Sequence, residues 1–386
     1  MTLHTPLTNS DMAELTDWRH LVHSHPDLSG LEAQTAQRVC DALGPTSPDL
    51  ILTGLGGHGV AAVYHGAEQG PTVLFRCELD ALPIEELSGL PYRSQVPGTG
   101  HLCGHDGHMT ILTGLARLVG RVRPARGRAV LLFQPAEEDG SGAAAVIADP
   151  RFSQIAPDWA FSLHNMPGAP LGQVWLKAGP VNCASRGLRI VLGGKTSHAS
   201  VPEAGVSPAL ALAGLIPALM AAGPGGVVGP GFRLATVTHA RLGEPAFGIA
   251  PGHAELWVTL RALTDTDMRA LLDEAKHLAM AAAASARLSL EMSHHDIFAG
   301  CENDPQATDL LAQALDALSI RHDPGELPMR GSEDFGLFGK GARSAMFFLG
   351  AGVDHPMLHN PDYDFPDALI APGVAVFHRV LRQMLG

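Results

Sequence analysis

The sequence concentrates side chains that bind metals and move protons, with 20 histidines in 386 residues. The run His101-Leu102-Cys103-Gly104-His105-Asp106-Gly107-His108 alone holds three imidazoles, a thiol and a carboxylate. Glu137 and Glu138 are adjacent, and further acids and imidazoles stand at Glu78, Asp80, His164, His355 and His359. Several imidazoles with carboxylates and one thiol suit zinc, manganese, cobalt or nickel better than magnesium or calcium. A glutamate pair divides naturally into one ligand and one free base. Such a base takes the proton of a metal-bound water before attack on a carbonyl and passes it to a leaving nitrogen. Gly104 would let the side chains on either side turn toward one centre.

These residues need elements to bring them together. Short apolar runs at 72–75, 129–133, 158–163 and 344–349 read as buried strands. Helical spacing falls between them, at His108, Leu112, Leu115 and Val119, and again at Leu310, Leu311, Leu315 and Leu318. The alternation predicts an α/β fold around a largely parallel, doubly wound sheet. Ligands of such sheets bind beyond the carboxyl ends of the strands. Each of the four runs leads to acids or imidazoles: Glu78 and Asp80, the Glu137-Glu138 pair, His164, then His355 and His359. Their convergence points to a metal site. From 186 to 296 the texture changes to strand 188–192, an apolar helix from Pro208, strands 234–242 and 254–260, helix 265–287 and strand 288–293. That β-α-β-β-α-β order predicts a split βαβ, ferredoxin-like unit. A second domain over 186–296 is therefore expected inside a first made of 1–185 and 297–386. At the start, Asp11 with Glu14 reads as a capping box for a helix that ends near His25-Pro26.

Composition narrows the partners. With 26 basic and 39 acidic residues the net charge is −13, which repels phosphate backbones and anionic lipid, so neither nucleic acid nor membrane is an expected partner. Five widely spaced cysteines suit a reducing compartment. Positions 1–17 show no signal-peptide pattern, so a cytoplasmic location is expected. The apolar stretch 209–222 falls short of the ~20 residues that span a bilayer and contains Pro217. It reads as a buried or subunit-facing helix. Gly54 to Gly59 fits G-x-G-x-x-G, but the strand-like run 60–64 follows where a dinucleotide site needs a helix, so a glycine-rich turn is expected. Arginines 121, 123, 126 and 128 read as a solvated loop, and Ser332 lacks the G-x-S-x-G elbow of a nucleophile. His101 and His108 are expected in packing or supporting roles, His355 in a loop, and His23 and His25 as supporting or capping residues.

The stretches WRHLVHSHPDLSGL (18–31), RCELDALPIEE (76–86), HLCGHDGHM (101–109), FQPAEE (133–138), LHNMP (163–167), GKTSHASVP (194–202), GSEDF (331–335) and MLHNPDYDF (357–365) run in order along nearly the whole chain. Together they resemble the metal-dependent amidohydrolases that include hippurate hydrolase, N-acyl-amino-acid amidohydrolases and auxin-conjugate hydrolases, in the aminoacylase and carboxypeptidase clan. The resemblance implies a dinuclear metallohydrolase domain with an inserted lid or dimerisation domain, and hydrolysis of small N-acyl amino acids by a homodimer, with a tetramer as the alternative assembly. It implies two divalent ions per subunit (Zn, Mn, Co or Ni), held by Cys103, His105, Glu138, His164 and His359. Glu137 would be the general base, Asp80 would support the metals, His198 would polarise the scissile carbonyl or bind substrate, in similar enzymes often in the partner's site, and Arg261 would bind substrate. Two departures stand out: Arg76-Cys77-Glu78 where the family often has Arg-Ala-Asp, and Gly248 where it often has Asn. A dipeptidase or carboxypeptidase, or a non-catalytic metabolite- or metal-binding homologue, are the competing readings.

Overall fold

The computed structural model describes residues 7–386; the first six, part of the stretch in which no signal pattern was read, lie outside the described residues. The chain divides into two compact units. The first runs to Val181 and resumes over Glu302–Leu327 and Asp334–Gly386, and the second comprises Asn182–Cys301 with Pro328–Glu333.

The first unit is built on an eight-stranded sheet. Its four central strands, in the spatial order Arg126–Gln134, Glu68–Glu78, Trp159–Pro167 and Arg343–Gly352, are parallel. Antiparallel pairs lie toward its margins, where Leu50–Leu55 and Gly59–His65 flank one side and Val174–Trp175 the other. The central strands carry Val73, Phe75, Val130 to Phe133, Phe161 and Ala345 to Leu349 in the core. Side chains buried on both faces of a strand explain why these read as continuous apolar runs rather than alternating ones. The helix His105–Arg121 packs on this sheet and against Ile370–Leu385. Strand order reverses between Glu68–Glu78 and Trp159–Pro167, since the chain goes from the first to Arg126–Gln134 on one side and from the second to Arg343–Gly352 on the other. A switch point of this kind leaves a crevice at the strands' carboxyl ends.

The second unit has the chain order strand, helix, strand, strand, helix, strand: Ala184–Gly193, Ala209–Ala222, Arg233–Leu242, His253–Ala262, Asp265–Ser285 and Ser289–Phe298. Its four long strands form one antiparallel sheet, with His253–Ala262 and Ala184–Gly193 in the middle. Alternate residues Leu188, Ile190, Leu192 and Leu256, Val258, Leu260 face the helices and are buried with Leu215, Leu271 and Ala275. That is the period-2 pattern of a sheet covered on one face. The helix Ala209–Ala222 is not wholly buried: Leu210 is 87% exposed and Met220 is 51% exposed.

Several local expectations change. The first helix is Asn9–His23, and its cap is Thr8, not Asp11. Thr8 and Asp11 exchange side-chain and backbone hydrogen bonds in the capping box, while Glu14 pairs with Arg117. The helix stops before Pro26, because the residue before a proline avoids helical backbone. Arg126 and Arg128 begin a central strand rather than a loop, and Arg121 and Arg123 are paired with Asp11 and Asp49. Gly54 to Gly59 does turn between two strands, with Gly54, Gly56 and Gly57 at positive φ. Among the described residues no helix is long and apolar enough to cross a membrane. None of the five cysteines forms a disulfide.

Candidate metal centre

The switch-point crevice holds the residues that the strand ends promised. Cys103, His105 and His164 offer ligand atoms within 4.8 Å of one another, as do Cys103, Glu138 and His359, and as do His105, Glu137 and Glu138. Cys103, His105 and Glu138 each appear in two of these groups, so the six side chains form one continuous cluster of candidate ligands. Cys103 Sγ is 3.4 Å from His164 Nε2. The two Glu138 oxygens stand 3.8 Å from His105 Nε2 and 3.6 Å from His359 Nε2. Donors about 2.1–2.3 Å from a tetrahedral ion lie roughly 3.5 Å from each other, so the spacings match a coordination shell.

Backbone contacts aim several of these candidate ligand atoms. Gly104 adopts φ +95° as the cap of the helix His105–Arg121, and a β-carbon there would come within 2.2 Å of the Asn165 side-chain oxygen. Only glycine makes that turn, which sends Cys103 and His105 to the same centre. His105 Nδ1 bonds the carbonyl of Asp80 at 2.9 Å, and its buried Nε2 has no hydrogen-bond partner. His164 Nδ1 likewise bonds the carbonyl of Asn165 at 2.8 Å. A ring nitrogen donating to a carbonyl leaves the other with its lone pair exposed, the usual preparation of a metal-binding histidine. Ala136, at φ +49°, reverses the chain after its strand and presents Glu137 and Glu138, with the Ala136 N–H bound to buried Glu32 at 2.8 Å. Asp80 is fully buried and supports this corner: its Oδ2 accepts from Ser29 at 2.7 Å and from the Glu138 N–H at 3.0 Å.

Electrostatics favour a cation here. Burial, with the Glu138 and Glu137 carboxylates, pushes the Cys103 thiol well above its ordinary pKa. A thiolate at that position therefore needs positive charge beside it. Burial would lower His105, but Asp80, Glu78 and Glu138 outweigh it and raise the group to about 10. The pocket is short of positive charge, and divalent ions would supply it. Burial keeps His164 neutral, at about 3, and lowers His359.

A second layer lies behind the cluster. His108 is clamped between Glu78 Oε2 and Asn165 Oδ1, both at 2.7 Å, and Asn165 donates to Tyr363 Oη at 2.5 Å. Glu78 also pairs with buried Arg76, which bonds Asp334. His108 is thus hydrogen-bonded on both ring nitrogens, and with Glu78 and His105 it forms a further group of candidate ligand atoms. His23 bonds Asp106 at 2.9 Å, and His355 bonds the Asp364 carbonyl at 2.6 Å. His101 is buried with neither ring nitrogen hydrogen-bonded. Asn165 and Tyr363 were not singled out from the sequence, although both lie inside stretches that carry the resemblance.

His198 and Arg261 lie in the second unit. His198 is exposed on a two-residue strand paired with Ile249–Ala250, and the Ala199 N–H donates to the Gly248 carbonyl at 3.0 Å. The Ser200 N–H donates to His198 Nδ1 at 3.1 Å, which places the ring proton on Nε2. Arg261 Nη1 donates to the Arg330 carbonyl at 2.9 Å and to Ser332 Oγ at 2.8 Å. Ser332 is thus a partner of an arginine rather than of a base.

Comparison with known proteins gives a consistent picture. The model of peptidase family M20/M25/M40 matches residues 74–383. Hippurate hydrolase of Campylobacter jejuni is 30% identical over 370 residues, covering 95% of each chain. N-acetyl-L-cysteine deacetylase of Bacillus subtilis is 31% identical over 371 residues, covering 95% of this chain and 87% of its own. The crystal structure of the Bacillus subtilis YXEP protein, a dinuclear metal binding peptidase from the M20 family, superposes with a TM-score of 0.83 at 25% identity, covering 98% of this chain and 99% of that one.

Proposed function

The chain belongs to peptidase family M20/M25/M40, and from that premise we propose that it is a metal-dependent amidohydrolase that cleaves small N-acyl amino acids into a carboxylic acid and an amino acid. The observation that carries this reading is the Glu137-Glu138 pair at the edge of the Cys103, His105, His164 and His359 cluster. In it Cys103, His105, Glu138, His164 and His359 hold two divalent ions, drawn from zinc, manganese, cobalt or nickel. When bound, the ions supply Lewis acidity toward water and toward the amide carbonyl oxygen.

The remaining chemistry belongs to side chains. Glu137 is the general base: it takes the proton of the attacking water and delivers it to the leaving nitrogen. Asp80 keeps the Glu138 backbone and the His105 ring in place through the contacts described above. His198, with its proton on Nε2, is a donor for the negative charge that develops on the carbonyl oxygen. Arg261 is the substrate-binding cation, suited to the carboxylate of an amino acid. The second unit, with its ferredoxin-like strand order, acts as a lid and dimerisation module. The exposed apolar residues of Ala209–Ala222 fit a subunit contact, and five cysteines outside disulfides fit a cytoplasmic setting.

The test is amine release from N-acetyl, N-benzoyl and indole-acetyl amino acids and from free dipeptides. Protein loaded with zinc, manganese, cobalt or nickel is compared with protein treated with EDTA. Metal-dependent release from the blocked amino acids is expected. Release confined to free dipeptides would move the assignment to a dipeptidase, and silence with metal bound would overturn the enzymatic reading for these substrates.

A further inference from the structure

A buried guanidinium outside the ligand set joins the segments that carry two of the proposed ligands. Arg19, on the first helix, is fully buried. Its Nη1 donates to Asp106 Oδ2 at 2.8 Å and to Asp364 Oδ1 at 2.9 Å, and its Nε donates to Asp367 Oδ1 at 2.5 Å. Asp106 follows His105 directly, and Asp364 lies five residues after His359. His23, one turn along the same helix, meets the same Asp106 oxygen. Tyr92 donates to Asp364 Oδ2 at 2.8 Å and stacks on His20 with ring centroids 3.6 Å apart.

This arrangement is costly as a packing solution. Taking a guanidinium and its carboxylates out of water is rarely repaid in stability alone, since apolar side chains fill the same space at less cost. What it does is grip the segment from His359 to Asp367. His359 has φ +67°, a conformation that a residue with a β-carbon keeps only where its surroundings hold it. Its N–H donates to the Leu102 carbonyl at 2.8 Å, and the Phe365 ring lies against Gly107, where a β-carbon would come within 2.2 Å of it. Two contacts thus tie the segment to the residues flanking Cys103 and His105, and Arg19 supplies a third.

We infer that Arg19, through Asp106, Asp364 and Asp367, is a positioning residue that holds the His359 segment at a set distance from the Cys103–His105 turn and so tunes the affinity of the ion that His359 helps to hold. This rests on the ligand assignment above. The test is metal release from the two-ion protein into excess EDTA, followed alongside amide hydrogen exchange across 357–367 in the metal-free protein. Asp364→Asn is the main variant, because Arg19 keeps Asp106 and Asp367. Arg19→Lys keeps the charge but loses the planar fork that reaches three carboxylates. Asp364→Asn should release one of the two ions at least ~10-fold faster, the scale of losing an outer partner of a ligand, leave the other unchanged, and quicken exchange across 357–367. Arg19→Lys should do the same more strongly. If these variants fold poorly, Tyr92→Phe removes only one hydroxyl from Asp364 and should shift both readouts in the same direction. Wild-type release of both ions from folded Asp364→Asn would overturn the inference, whether or not exchange quickens. His359→Ala separates the two claims: if it releases both ions no faster than the wild type, the ligand assignment is what fails.

Discussion

At the scale of single side chains, the chemistry depends on which atom of each residue is left facing the pocket. His105 and His164 both give Nδ1 to a backbone carbonyl and turn Nε2 inward. Glu137 is the acid that the proposed ligand set leaves over. Glu137→Gln should retain two metal equivalents by elemental analysis and lose at least ~10²-fold in turnover, the usual scale for a general base. Turnover near wild type with both ions in place would remove that role. A second expectation concerns stability. Burial would lower the pKa of His23, but the Asp106 carboxylate outweighs it and raises the group to about 9. A folded-state value above the unfolded ~6.5 means that the pair contributes fully below about pH 6.5 and loses its contribution as pH rises through about 9, worth at most roughly 3 kcal/mol. The urea midpoint of the wild type should therefore exceed that of His23→Gln by more at pH 6 than at pH 9.5, and an equal margin at both would refute the linkage.

At the scale of elements, the site is a product of strand ends and of two glycines. The runs 72–75, 129–133 and 344–349 lie within central strands and 158–163 starts one residue before its strand; of the acids and imidazoles expected beyond them, Glu78, Glu137, Glu138, His164 and His359 fall in the ligand clusters, Asp80 stands beside them, and His355 turns away to the Asp364 carbonyl. Gly107 sits beneath Phe365, so Gly107→Ala forces a β-carbon into the ring. Overpacking of this kind costs about 1–3 kcal/mol, which should appear as a lower urea midpoint and as weaker metal retention, because the His359 segment moves with Phe365. An unchanged midpoint would show that the ring moves aside without cost. Legibility was high for the parallel strands, because burial on both faces writes an unbroken apolar run. It was poorer at the first cap: Asp11-Glu14 and Thr8-Asp11 both satisfy the capping spacing, and helix entry is chosen by the backbone hydrogen bonds at Thr8. The clamp of His108 by Glu78 and Asn165 was hidden, because its partners are 30 and 57 residues away.

At the scale of the whole molecule, the proposal is that two copies of the chain assemble through the second unit. Leu210→Glu combined with Met220→Glu should reduce the sedimenting mass of the wild type by half if this helix face lies between subunits. An unchanged mass would place the contact elsewhere. If His198 serves the site of a neighbouring subunit, inactive His198→Ala and Glu137→Ala proteins, mixed and allowed to exchange subunits, should recover part of the activity. No recovery would argue for a site completed within one chain.

Composition, periodicity and motif order were enough to read an α/β architecture, a metal-binding crevice and the family, because each is written locally: apolar runs mark strands, spacing marks helices, and the donor residues sit just past the strand ends. The geometry that makes those donors usable came from folding. His359 keeps φ +67° against the particular neighbours that hold it, and the Asn165 side chain leaves room for nothing but glycine at the Gly104 turn. The carbonyls of Asp80 and Asn165 choose the ring nitrogens that face the cluster of candidate ligands. Arg19 meets Asp364 and Asp367 across more than three hundred residues of chain. Contacts between distant segments leave no period and no motif in a single sequence, since what selects them is the shape and charge of a pocket that exists only once the chain has closed around it.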